Sequence, residues 1–236
     1  MVFPLYDDNP FNKPTMPVVT WSLIAINILV FMLQAGAPDA TAEWMMKSFG
    51  FTPAALVHDA PQTGPLPPAL TLLTCMFMHG GWAHLLTNML YLFIFGDDIE
   101  AALGKLRFIV FYLASDVLAS LSYFAVNVHS DVTLIGASGG VSAILAAYLM
   151  LRPCARVTVF VWRVVVRVQA YWMIGGWIVL QLVSLASDEK DGVAYVAHGG
   201  GLVAGGILFA LMRPAGVDLF ECIDPKDAEP TTTEFT

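Results

Sequence analysis

Six apolar stretches dominate this chain, and each reads as a helix crossing a lipid bilayer. A spanning helix needs about 20 mostly apolar residues, and it must satisfy its own backbone, because the hydrocarbon core holds no water to do so. Pro17 to Ala35 carries no Asp, Glu, Lys or Arg and is span one; it is too long and wrongly flanked for a signal peptide. Span two runs from about Met78 to Gly96 and is closed by Asp97, Asp98 and Glu100. Span three, about Phe108 to Asn127, holds one acid, Asp116. Span four, about Ser138 to Leu151, is short but has an apolar lead-in from Val132, and Arg152-Pro153 ends it. Span five lies near Val168 to Ser187, after an apolar flank interrupted by Arg156, Arg163 and Arg167. Span six is about Val193 to Met212. The expected fold class is all-α: a polytopic six-transmembrane-helix bundle over 17–213, between a polar N-terminal segment, 1–16, and an acidic, disordered tail, 214–236.

Composition agrees. Apolar residues make up 57% of the 236 residues and charged residues 13%, against roughly 25% charged in a soluble domain. Such a chain is not disordered. With 11 Lys and Arg against 19 Asp and Glu it lacks the basic face that nucleic acid requires. The long loop 36–70 is rich in proline, and its Trp44, Met45, Met46 and Phe49 fit a piece lying at the membrane interface. Cys75, Cys154 and Cys222 show neither a disulfide framework nor zinc-site spacing, and read as three buried or lipid-facing thiols.

Six spans put both termini on one side. Lys13, Lys105, Arg107, Arg152, Arg156, Arg163, Arg167, Arg213 and Lys226 then share that side, with only Lys47 and Lys190 opposite. The bias makes the termini cytoplasmic and the first loop external. Spans two, four and six all start outside. Span two carries His79, His84 and Asn88 in its first turns, and the last two share a helical face. Span four opens with Gly136-Ala137-Ser138-Gly139-Gly140, and span six has His198 about five residues in. At about 1.5 Å of rise per residue, His84, Ser138 and His198 converge in the outer half of the bilayer. Serine, histidines and asparagine at one level offer a nucleophile, a base and oxyanion donors, as acyl transfer needs. Gly201 and Gly205 in span six, and Gly139, Ala143 and Ala147 in span four, allow the two backbones to approach closely. The string Gly-x-Ser-x-Gly also occurs in the nucleophile elbow of soluble hydrolases, but that fold needs parallel βαβ units this composition does not supply. Asp188, Glu189 and Asp191 read as the polar turn between spans five and six rather than as a triad acid.

The chain resembles the rhomboid intramembrane serine proteases. The resemblance lies in His79-Gly-Gly-Trp-Ala-His84-Leu-Leu-Thr-Asn88-Met, Gly136-Ala-Ser138-Gly and Ala197-His198-Gly-Gly-Gly201. Lesser matches are Asp7-Asp8-Asn9-Pro10, and Phe95-Gly96 through Glu100 to Gly104. It implies a rhomboid-like bundle and a Ser–His dyad that cleaves single-pass or polytopic transmembrane substrates near the outer face. It makes Ser138 the nucleophile and His198 the general base. His84, Asn88 and the Ser138 backbone N–H would line the oxyanion hole, supported by Gly136, Gly139 and Gly201. No metal or cofactor is implied. No organelle presequence is visible, so the chain is expected to be a multi-pass protein of a prokaryotic inner membrane.

Two positions depart from the pattern. Ser142 stands where some rhomboids place an aromatic against the catalytic His, so another contact must hold His198. Asp116 replaces a common Gly, and a carboxyl at that depth must be protonated or hydrogen-bonded in the bundle. Two other functions compete: a catalytically silent relative that binds membrane helices, and a small transporter or channel lined by His84, Asn88, Asp116 and His198.

Overall fold

The computed structural model describes residues 2–7, 16–61, 63–186 and 194–222. In chain order its elements are β1 (Val2–Asp7), α1 (Val18–Ala35), α2 (Asp39–Phe49), α3 (Pro53–Leu56), α4 (Pro68–Thr74), a 3₁₀ turn (Cys75–Phe77) and α5 (Trp82–Leu103). Then come α6 (Lys105–Val126), α7 (Ser138–Leu151), β2 (Arg156–Val161), β3 (Val164–Gln169), α8 (Ala170–Ala186) and α9 (Tyr195–Met212). By length and composition, α1, α6 and α9 are each sufficient to cross a membrane. Pro68–Phe77 and Trp82–Leu103 qualify together as a pair bent by 81°, while α7 and α8 are shorter apolar helices. Large apolar side chains such as Leu29, Leu33, Leu180, Val183, Val203 and Ile207 are exposed on α1, α8 and α9, as lipid-facing surfaces require.

The short helix α7 is the centre of the bundle. Ten of its 14 residues are buried, and α5, α6 and α9 all pack against it. A helix enclosed by protein has no lipid thickness to match, so 14 residues suffice. Leu92, Phe95, Phe111, Ile144, Leu145 and Phe209 form the core around it.

Span two differs from its expected course. Its helix starts at Trp82, not Met78, and continues to Leu103, so Asp97, Asp98 and Glu100 lie within it. Gly80-Gly81 breaks the helix before it, since glycine is costly in helical backbone. At this break the Gln34 amide of α1 donates to the His79 carbonyl at 2.6 Å, so His79 belongs to the bend rather than to the first turns of the span. Glu100 is almost fully buried. Its carboxylate accepts the N–H groups of Val19 and Thr20 at 3.0 and 2.8 Å and the Thr20 hydroxyl at 2.8 Å. It thereby caps the first turn of α1, whose N–H groups have no helical partner. Hydrogen bonds to a charged group contribute about 1.5–3 kcal/mol each.

The all-α expectation is corrected by a three-stranded antiparallel sheet in the order β1-β2-β3. The flank 155–167, expected as an apolar lead to span five, is instead mostly hairpin, with Val161 paired to Val164 across Trp162-Arg163. Its many valines explain this, because β-branched side chains suit a pleated surface better than a helix. β1 joins as an edge strand with a bulge between Pro4 and Tyr6, as befits a proline that has no N–H for a ladder. Three further expectations change. The loop 36–70 is partly helical, in α2, α3 and the start of α4. Cys154 and Cys222 form a disulfide, leaving Cys75 as the free buried thiol; their spacing of 68 residues carries no local signal. Residues 214–222, expected to be disordered, pack back on the bundle: Phe220 donates its N–H to the Met150 carbonyl at 2.6 Å, and Val217 and Leu219 touch the core. The rest of the tail, residues 8–15, and Asp188, Glu189 and Asp191 lie outside the described residues.

β1 ends at Asp7, whose carboxylate accepts the Tyr148 hydroxyl at 2.7 Å. Burial, and next to it the charge of Asp98, pushes the Asp7 carboxyl up to about 8. An acid raised on folding binds its proton more tightly in the folded state, so stability is lost as pH rises through the window from about 4 to about 8. Thermal unfolding in detergent across that window should show a falling midpoint. Asp7→Asn, which keeps an acceptor for Tyr148, should flatten the slope; equal slopes in the two proteins would contradict this assignment.

Candidate active site

The site is built around the start of α7. Gly136, two residues before Ser138, has φ +113°, where a side chain is strained. A Cβ there would meet His84 Nε2 at 2.5 Å, so the position is closed to other residues by space as well. The Gly136 N–H donates to the Cys75 carbonyl at 2.9 Å, anchoring this approach to the 3₁₀ turn. Ser138 is the first helical residue, and the first-turn N–H groups of a helix lack intrahelical partners and present positive dipole.

α9 crosses α7 with backbones in contact. A Cβ on Gly201 would fall on the Gly139 carbonyl oxygen, and one on Gly205 on the Ala143 backbone. Gly139 is equally confined on its α6 side, where a Cβ would meet Ala119 at 2.7 Å and Asp116 Oδ1 at 2.8 Å. This crossing brings together Ser138 and His198, 60 residues apart in sequence, with Oγ 2.8 Å from Nε2. The other ring nitrogen, Nδ1, lies 2.7 Å from Gln181 Oε1 on α8. An amide oxygen only accepts. With Gln181 Oε1 facing it, Nδ1 is assigned the proton, and Nε2 then accepts from the Ser138 hydroxyl. Trp177 of α8 lies beside the same ring, at 5.9 Å between centroids and 35° between planes, and Tyr195 meets it edge-on.

His84 and Asn88 sit on α5, one turn apart. His84 Nδ1 accepts the Gly80 N–H at 3.4 Å, which leaves Nε2 as the donor nitrogen against Gly136. The buried Asn88 gives one amide hydrogen to the His84 carbonyl at 3.0 Å and retains a second. Among the described residues neither side chain hydrogen-bonds Ser138. Asp116 is buried, and its Oδ1 accepts the Gly140 N–H at 2.9 Å. It thus caps the first turn of α7 rather than lining a path, which supplies the hydrogen bond in the bundle that its depth calls for. Ser142 donates to the Ser138 carbonyl at 2.6 Å and makes no ring contact with His198.

Sequence reasoning missed Gln181 and Trp177. A signal existed: they stand four apart, on one face of a helix, and Gln181 is a lone amide within an apolar run.

The crossing generates a stability test. Gly201→Leu must drive α7 and α9 apart, and overpacking of this kind costs about 1–3 kcal/mol. Gly206→Ala, whose Cβ would meet only Met150 Sδ at 3.5 Å, is the tolerated control. A lowered unfolding midpoint for the first and an unchanged one for the second is expected; a wild-type midpoint for Gly201→Leu would contradict the close crossing.

Comparisons with known proteins point the same way. The Rhomboid domain family matches residues 68–215, more than half of the chain. Rhomboid protease GluP of Bacillus subtilis is 32% identical over 133 residues, covering 56% of this chain and 24% of its own length. RHOMBOID-like protein 4 of Arabidopsis thaliana is 32% identical over 145 residues, covering 61% and 34%. Rhomboid-like protein 11, chloroplastic, of the same plant is 28% identical over 134 residues, covering 57% and 44%. The chain thus spans less than half the length of the curated relatives it matches. With multiple apolar helices around α7 and the matched motifs in order, the chain is an integral, multi-pass membrane protein and belongs to the rhomboid family.

Proposed function

We propose that the chain is an intramembrane serine endopeptidase that uses Ser138 and His198 as its dyad. The observation that carries the reading is the 2.8 Å approach of Ser138 Oγ to His198 Nε2 in the tautomer able to accept a proton. Ser138 attacks the scissile carbonyl while its proton passes to Nε2. The tetrahedral oxyanion is met by the Ser138 N–H, His84 Nε2 and the free Asn88 hydrogen. His198 then protonates the leaving amine as the C–N bond breaks, and water, deprotonated by the same ring, releases the acyl group.

The membrane arrangement has six spans: α1, the bent α4–α5 pair, α6, α7, α8 and α9. The distribution of Lys and Arg supports cytoplasmic termini, with the dyad in the outer half of the bilayer. The Cys154–Cys222 bond then lies on the side where thiols are kept reduced. The Phe220–Met150 hydrogen bond also ties that segment to α7. Substrates are transmembrane helices, whose carbonyls are hidden in their own hydrogen bonds until they unwind. Gly or Pro near the outer end makes the carbonyl accessible, because both weaken the helix.

A fluorophosphonate probe in detergent tests the dyad directly. Wild type is expected to label, and Ser138→Ala and His198→Ala to lose the label. His84→Ala should slow labelling by about 100- to 1,000-fold, the usual effect of losing an oxyanion donor. Folded wild-type protein that takes no label would overturn the reading.

A further inference from the structure

We propose that Gln181 is the positioning residue of His198, so that α8 rather than α7 orients the base. The inference rests on the dyad reading above. Where an aromatic on α7 could have braced the imidazole, this chain has Ser142, whose hydroxyl is bonded to the Ser138 carbonyl. The bracing groups come instead from one face of α8. Trp177 lies beside the ring, and one turn later Gln181 Oε1 accepts from Nδ1 at 2.7 Å.

The chemistry suits a dyad. A histidine that carried its proton on Nε2 could not accept one from serine, and an acceptor fixed on Nδ1 excludes that tautomer. An amide does this without bringing a negative charge to the base. The position is otherwise hard to explain. Its neighbours Leu180, Leu182 and Val183 are exposed and apolar, and an amide at lipid depth is costly unless its hydrogen bonds are made. The buried residues of α8, Ala170, Met173 and Ile174, all lie in its first two turns. Gly175 and Gly176 follow, and a Cβ on either would meet nothing within 4 Å. Beyond Ile174 α8 reaches the core through the partly buried Trp177 and Ile178, and His198 is oriented only while that half lies against α9.

The test uses full-length protein with ¹⁵N-labelled histidine in micelles, assigned by comparison with His198→Ala. Wild type is expected to show a neutral His198 ring with its proton on Nδ1. Gln181→Met, of similar length without an acceptor, should give a mixture of tautomers and slow fluorophosphonate labelling about tenfold, the scale of one neutral hydrogen bond. Gln181→Glu, which keeps an acceptor oxygen, should restore the proton to Nδ1. An unchanged ring spectrum and labelling rate in Gln181→Met would overturn the role of Gln181 alone. Absence of labelling in wild type would instead overturn the protease reading, and the role with it.

Discussion

The close crossing of α7 and α9 is the constraint on which the rest of this structure depends. Ser138 and His198 have short side chains and stand on different helices, so they meet only if the backbones nearly touch. Gly201 against the Gly139 carbonyl and Gly205 against Ala143 make that possible. Lipid offers no hydrophobic drive for one apolar helix to leave it for another, and the association comes from packing at small residues. The same glycines that give α7 and α9 their adhesion therefore give the site its geometry.

Around this crossing, buried polar groups lock neighbouring helices to one another. Asp116 ties α6 to the first turn of α7 through Gly140. Glu100 ties α5 to the start of α1, and Gln34 ties α1 to the break before α5. Each satisfies backbone groups that a helix end or a bend leaves open, where no water would serve. The central helix is thus fixed from several sides. α8 is different: its outer half contacts the site through Trp177 and Gln181, packs Trp177 and Ile178 on the core, and leaves Val179, Leu180, Leu182, Val183 and Leu185 exposed. Outward movement of that half would withdraw both side chains from the base.

Much of this was legible in the sequence because membrane helices announce themselves by apolar length and their exceptions by polarity. The helix expected over Ser138–Leu151 has those bounds in the structure, since Arg152-Pro153 ends it and the glycine-rich mouth opens it. The convergence of Ser138 and His198 followed from alternating direction and depth. What escaped reading depended on other information. The hairpin 156–169 was concealed because its valines look the same in a lipid-facing helix as in a strand. The disulfide joins cysteines 68 residues apart, a pairing that only the return of segment 214–222 to the bundle reveals. Gln181 stands in the sequence as a lone amide one turn from Trp177, but its partner on the next helix cannot be read from that signal.

The proposed dyad, Ser138 and His198, would cut a transmembrane helix near its outer end. The most direct measurement reconstitutes the full chain in liposomes with a single-pass substrate bearing Gly and Pro in its outer turns, and maps the products by mass spectrometry. One cut in those outer turns by wild-type protein, and none by Ser138→Ala, is expected. A cut at the opposite end of the helix, or cleavage that persists in Ser138→Ala, would contradict it.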